Sequence, residues 1–351
     1  MTSIERILAV CTGKIPDRVP FLLASREFSS RQAGMSLLEC YTQADRYVDS
    51  QVRLVNEFGL DGVYDIWCTP AVDELLGAKL EFLSNDSASI PNGSVTCLND
   101  VRMLPKVDPR REGRAPYLLD VVRRLKKAVG DSVAVIAWAS SPFRTASMLR
   151  GVTDFYRDLK RDPTFARALL DAVYGPCAAY GKALVEAGAD IVCSSNPGAN
   201  MQCISRPYYE EFSHPYTREM FKEIKHHGAK AVMFHTCGKW DDRLDLVVNE
   251  NIDIIHCDRV DIAGFKARHS GSTVLMGNLR AVEVLLQGTE ETVEQAASEC
   301  LAQGKEGGRY ILSADCSVPR DTPAGNVRAM ARAVKKYGSY DRGDLAMPSP
   351  P

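Results

Sequence analysis

The sequence predicts an α/β protein, a single (β/α)8 TIM barrel, and three observations carry that expectation. Eight short runs rich in β-formers recur along the chain, most of them nearly continuous apolar segments, as parallel strands covered on both faces require. Amphipathic stretches closed by Gly lie between most of these runs. The length, 351 residues, suits one large barrel. A doubly wound open sheet shows the same alternation and is the alternative; the count of eight favours the barrel.

The first run is Arg18–Ala24 and the second Gly62–Trp67. The connection after the second is unusually long. Within it Lys79–Phe82 and Ser94–Leu98, separated by Ser/Asn/Asp/Gly-rich sequence, read as an inserted β-hairpin. Val133–Ser140 and Asp190–Ser195 follow as the third and fourth strands. The helix between them opens at Asp162-Pro163, an N-cap with Pro at the first helical position, and Gly188 stops it. Ser205 and Pro207 open the next helical stretch, with Tyr208, Phe212, Tyr216, Met220 and Ile224 on its apolar face and an end near Gly228. Pro215 should kink it or split it in two. The fifth to eighth strands are Ala231–His235, Asp253–Cys257, Thr273–Gly277 and Arg309–Ser313. Thr322-Pro323 opens a last helix carrying Val327, Met330, Val334 and Tyr337, with Gly338 beyond. One barrel domain is expected over residues 1–346, with Met347–Pro351, which holds three of the 18 Pro, as a fraying tail.

Composition narrows the function. Lys and Arg number 43 against 45 Asp and Glu, a formal charge of −2, which advertises neither a nucleic-acid nor a membrane partner. Glu5 and Arg6 interrupt the N-terminus where a signal peptide needs an apolar core, and Val133–Ala139 is too short to span a bilayer. The expected location is cytoplasmic. Eleven Cys are then expected as free thiols or metal ligands, and without a CxxC pair neither a zinc ribbon nor thioredoxin-type chemistry is on offer. No GxSxG elbow, P-loop, HExxH or dinucleotide fingerprint occurs. Oligomeric state stays open, self-association included.

The sharpest local feature is Phe234-His235-Thr236-Cys237-Gly238, at the exit of the fifth strand. In an extended chain His235 and Cys237 point to the same side, and imidazole and thiolate are both zinc ligands. The competing reading is a packed Cys beside a core His. Cys316 follows the eighth strand, so a barrel would bring it to the same C-terminal face. His/Cys/Cys suits a catalytic zinc that keeps one position for substrate. Asp65 and Asp258 end the second and sixth strands, as catalytic or ligand-orienting carboxylates or as helix N-caps. Asn196 and Asn278, in strand-end turns, are candidate substrate-binding residues or simple turn formers. Cys68 and Cys193 read as structural, His256 as a packed barrel residue, and His214, His226, His227 and His269 as solvated.

Gly62-Val63-Tyr64-Asp65-Ile66-Trp67, Ala146-Ser147-Met148-Leu149-Arg150-Gly151, Glu186-Ala187-Gly188-Ala189-Asp190, Ile204-Ser205-Arg206-Pro207, His235-Thr236-Cys237-Gly238, Gly277-Asn278-Leu279, Val282 to Thr289, and Cys316 with Thr322-Pro323 follow one another in an order that resembles the uroporphyrinogen decarboxylase superfamily over nearly the whole chain. The HxC pair with a distant Cys resembles its zinc-dependent, corrinoid-linked methyltransferase branch, which includes methylcobamide:coenzyme M methyltransferases and the methyl-donor components of bacterial O-demethylases. The resemblance implies zinc on His235, Cys237 and Cys316. Asp65 falls where the decarboxylases carry their catalytic Asp, and Arg31-Gln32-Ala33-Gly34 echoes a decarboxylase signature, which keeps that cofactor-free activity as a lesser alternative. No DxHxxG corrinoid motif occurs, so the corrinoid (cobalamin) is expected on a separate partner protein. The expected activity moves a methyl group from a small methylated donor, such as a methoxylated aromatic, to that cobalt. The alternatives are methylation of a thiol such as coenzyme M by the methylated corrinoid, and a non-catalytic barrel with a closed zinc.

Overall fold

The computed structural model describes residues 1–84, 88–269 and 271–340. Seven parallel strands pair in sequence order: β1 (Gly62–Tyr64), β2 (Ala134–Trp138), β3 (Ile191–Ser195), β4 (Ala231–Thr236), β5 (Ile254–Cys257), β6 (Val274–Leu279) and β7 (Tyr310–Ala314). Helices cover their outer faces. The expected first strand, Arg18–Ala24, is not a regular strand, yet it occupies the place of one. Leu22 N donates to Leu312 O (3.1 Å) and Leu312 N to Pro20 O (2.9 Å) on the β7 side, while Asp61 N donates to Phe21 O (2.8 Å) just before β1. The barrel therefore closes through this segment. Pro20 has no N–H to extend a ladder, so among the described residues the segment meets β7 in a single bridge, Phe21–Leu312, while Arg18 bridges Ser339.

Alternation along the strands sorts two cores. Ala134, Ile136, Trp138, Ile191, Cys193, Ala231, Met233, Ile254, Val274, Met276 and Ile311 fill the barrel interior, whereas Val135, Val192, Val232, Phe234, Ile255 and Leu275 face the helices. Ile4, Ile7 and Val10 of the helix Ser3–Cys11 join the interior set and plug its lower end. That helix starts with a capping box, Thr2 accepting from Glu5 N and Glu5 accepting from Thr2 N.

Several local signals act as expected. Asp162 caps the helix Pro163–Glu186 through Phe165 N (3.0 Å). Pro215 splits its stretch into Arg206–Phe212 and His214–His226. The last helix runs Ala324–Tyr337. The inserted hairpin differs. Glu81 pairs with Ser89 in one antiparallel bridge, but Ser94 N and Val95 N donate to Leu149 O, and Leu98 begins the helix Leu98–Arg102. The expected second arm thus packs against the Pro142–Arg150 helix. Met347–Pro351 lies outside the described residues. Among the described residues no helix is long and apolar enough to cross a membrane.

Candidate metal centre

The ends of β4 and β7 bring three ligand types together. His235 continues the inward row of Ala231 and Met233, so its ring enters the barrel interior, and Cys237 follows on the same side just past the strand. Cys316 arrives on the loop after β7. His235 Nε2 lies 2.7 Å from Cys237 Sγ and 3.5 Å from Cys316 Sγ, and the two sulfurs are 3.9 Å apart. A tetrahedral zinc, with bonds of about 2.3 Å to sulfur and about 2.0 Å to nitrogen, needs S–S edges of roughly 3.8 Å and S–N edges of roughly 3.5 Å. Two of the three edges already match; the third opens by under about 1 Å when an ion enters. Among the described residues this is the group of His, Cys, Asp or Glu atoms that can hold a metal, and Cys68 and Cys193 are not in it.

The electrostatics prepare a thiolate. A hydrogen bond from the Cys237 thiol, helped by the adjacent His235 ring, outweighs burial and holds Cys316 well below the ordinary thiol range. Cys237, which gives that bond and faces the Cys316 charge, is pushed up. Burial opposes an imidazolium at His235, but the Cys316 thiolate more than offsets it and raises that group. His256, whose ring lies tilted 4.4 Å from that of His235, is lowered to about 3 by burial and then by its neighbour's charge. It stays neutral and bonds through Nε2 to Ala314 O (2.8 Å), two residues before Cys316.

The Cys237 loop is held from three sides. Trp240 Nε1 (2.8 Å) and Asn200 Nδ2 (3.3 Å) donate to Cys237 O, and Gly238 N donates to Asp258 Oδ2 (2.9 Å). Gly238 has φ +81°, and a Cβ there would sit 2.8 Å from Asn200 Nδ2, so only glycine fits this turn. Asp258, expected as a catalytic carboxylate, is thereby placed beside the ligand loop. Asp65 is buried in the mouth. Its Oδ2 accepts from Trp138 N (3.0 Å), its Oδ1 has no hydrogen-bond partner among the described residues, and burial raises it to about 7. Trp67, two residues on, sets its ring edge-on to His235 at 6.0 Å.

Asn196 and Asn278, expected as substrate-binding residues, both make hydrogen bonds within the scaffold. Asn196 accepts from Ser141 Oγ and donates to Ser213 Oγ (3.0 Å) and Thr217 Oγ1 (3.1 Å), which satisfies its amide. Asn278 Nδ2 donates to Asp258 O (3.2 Å) and Val260 O (2.8 Å), bracing the loop after β5. His214, expected to be solvated, is half-buried and lies 3.1 Å from the buried Glu250. Sequence reading missed Trp67, Asn200, Trp240 and Arg280. Of these only Trp240 carried a signal, an aromatic three residues beyond the HxC ligand.

Fold and site together define a parallel α/β barrel with an imidazole–dithiol centre at the C-terminal ends of its strands. The chain belongs to the uroporphyrinogen decarboxylase family, whose model matches residues 2–337. Among its relatives are the "Methylated-thiol--coenzyme M methyltransferase" of Methanosarcina mazei, 30% identical over 75% of this chain and 69% of that one, and the same organism's "Methylcobamide:CoM methyltransferase MtbA", 30% identical over 96% and 98%. A solved structure titled "methyltransferase from Methanosarcina mazei" shares the fold with a TM-score of 0.87 at 21% identity, over 96% of this chain and 99% of that one. The chain sits on the methyltransferase branch of its family.

Proposed function

We propose that this protein is a cytoplasmic, zinc-dependent methyltransferase that exchanges a methyl group between a small sulfur or oxygen compound and the cobalt of a separate corrinoid protein. The observation that carries the reading is the convergence of His235 Nε2, Cys237 Sγ and Cys316 Sγ at the barrel mouth, three ligands for an ion that takes four. Bound there, zinc would supply Lewis acidity to the heteroatom that carries or accepts the methyl group. Cys237 and Cys316 would bind as thiolates, Cys237 giving up its proton as the metal enters, so affinity rises with pH. His235 would bind through Nε2, its ring fixed by Trp67 and His256. Asp65, raised to about 7, would hold a proton near neutrality and present it from Oδ1 to the bound small compound. Asp258 would keep the Cys237 loop in place through Gly238.

The names of the relatives support a thiol or methylated thiol as the small compound, and sulfur suits zinc. A methoxylated aromatic donor is the second reading, favoured by the aromatic wall of Tyr64, Trp67 and Trp138. One experiment separates them. Zinc-loaded protein is mixed with a Co(I) corrinoid protein and either a methylated thiol or a methoxylated aromatic, and methyl-cobalt absorbance is followed; the reverse reaction uses methyl-cobalt and coenzyme M. The thiol reading expects methyl-cobalt from the methylated thiol and its loss with coenzyme M. Reaction with the aromatic alone would favour the second reading. Metal-independent decarboxylation of uroporphyrinogen, with no methyl transfer, would contradict both.

A further inference from the structure

The two thiols sit on loops that leave different strands, β4 and β7, and one side chain lies between those loops. Arg280 follows β6. Its Nη1 is 3.9 Å from Asp258 Oδ1 and its Nε is 3.6 Å from Asp315 Oδ2. Asp258 turns its other oxygen to the N–H of Gly238, the residue after Cys237. Asp315 immediately precedes Cys316, and its other oxygen accepts from Ala281 N (3.0 Å). From these contacts we infer that Arg280 is a positioning residue: through Asp258 and Asp315 it ties the Cys237 loop to the Cys316 loop and sets the separation of the two sulfurs. The inference rests on the zinc reading given above.

The chemistry of the neighbourhood makes such a tie necessary. Asp258, on the loop after β5, and Asp315, on the loop after β7, place like charges on either side of the two thiols. Without a cation between them the two carboxylates repel. A guanidinium is planar and presents nitrogens along separate edges, so it can face both carboxylates at once, whereas an ammonium is a single point. The Asp315 side chain is 9% exposed, Asp258 19% and Arg280 33%, so water screens this bridge less than a surface pair. Glu283 takes Nη2 at 2.9 Å on the outer side, which leaves Nε and Nη1 toward the aspartates. Arg259 also reaches Asp258 Oδ1, at 3.6 Å, but among the described residues no ion pair carries it on to Asp315.

A positive charge near a cation site would by itself weaken metal binding, and this gives the test its sign. Arg280→Met removes charge and bridge together, while Arg280→Lys keeps the charge and loses the two-edged reach. Zinc affinity is measured by competition with a chromophoric chelator, and the geometry is read from the d–d bands of the Co(II)-substituted protein. Both variants should bind zinc about tenfold more weakly, within the range seen when a group orienting metal ligands is lost. Both should lose intensity in the tetrahedral Co(II) bands while melting as the parent does. In an Asp315→Asn background, Arg280→Met should add little further loss. Tighter binding by Arg280→Met with parental binding by Arg280→Lys would mean that only charge matters, and would overturn the bridge. So would parental affinity and spectra in both variants. Should the Met variant fail to fold, the Lys variant still decides. A parent protein that takes up neither zinc nor Co(II) would sink the zinc reading and the bridge with it, a result distinct from a metal-binding parent matched by its variants.

Discussion

At the lower end of the barrel three aspartates, each just before an odd-numbered strand, have both a backbone and a cationic partner. Asp61 accepts from Phe21 N (2.7 Å) and pairs with Arg6 (2.6 Å) and Arg18 (2.8 Å). Asp190 accepts from Val135 N (3.0 Å) and pairs with Lys230 (2.8 Å) and Lys126 (3.1 Å). Asp253 accepts from Val232 N (2.8 Å) and pairs with Lys225 (2.8 Å). At the upper end Asp65 likewise accepts one N–H from a neighbouring strand, but its second oxygen is buried without a partner. Tyr64 OH, Trp138 Nε1, Ser140 Oγ and Ser313 Oγ are in the same condition. One residue type in one local geometry thus closes the foot of the barrel and leaves unsatisfied polar groups in its mouth. Buried polar atoms without partners cost stability, so a fold keeps them where a ligand is to be met.

That contrast predicts that changes at the mouth cost activity and changes at the foot cost stability. The largest effect should come from metal removal: dialysis against a strong chelator should lower methyl transfer at least about a hundredfold, restored by zinc, while far-UV circular dichroism stays unchanged. Loss of the fold along with the metal would break the comparison. At the foot, Asp61→Ala takes the carboxylate from Arg18 and the acceptor from the Phe21 N–H, while Arg6 keeps Asp17 (2.6 Å), and should cost about 3 kcal/mol in urea unfolding. Zinc uptake by the folded fraction should be untouched.

Asp65→Asn tests both properties at once. Turnover should fall about 10–100-fold if Asp65 presents its proton to the substrate. Because its carboxyl is raised to about 7 in the folded protein, the native state binds the proton more tightly than the unfolded chain does. The contribution of Asp65 to stability therefore declines as pH rises from about 4 to about 7, by a few kcal/mol. The Asn variant should match wild type near pH 4 and exceed it at pH 8; equal stability at both would show that the carboxyl is not strained. The smallest effect belongs to Lys266, whose ammonium donates to the carbonyls of Gly304, Glu306 and Gly308 at the end of the helix Glu290–Gly304. Lys266→Met should cost about 1–3 kcal/mol in urea unfolding and leave turnover alone.

How far the sequence showed this depended on whether the deciding interaction was local. Seven strands were legible because each is a short apolar run, and Pro215 and Asp162-Pro163 act within one helical turn. Arg18–Ala24 was legible as a stave but not as an irregular one, since its bonds go to β7, nearly 300 residues away. The hairpin misled because the N–H groups of Ser94 and Val95 go to Leu149, a partner that local pattern does not reveal. His235 and Cys237 could be paired by strand parity alone, whereas the approach of Cys316 followed only from assuming a closed barrel. At Asn196 the sequence shows an amide at a strand end but not the Ser and Thr hydroxyls that already use it, and at Asn278 it does not show the two carbonyls that take Nδ2.

The central claim is that the mouth of this barrel is a zinc site made by His235, Cys237 and Cys316, and metal content tests it most directly. Purified wild-type protein, Cys237→Ser and Cys316→Ser are each dialysed with zinc and then freed of loose metal, and zinc is counted per chain by mass spectrometry. About one tightly held zinc is expected in wild type and far less in both variants, with all three folded. Full occupancy in both variants, or none in wild type, would contradict it.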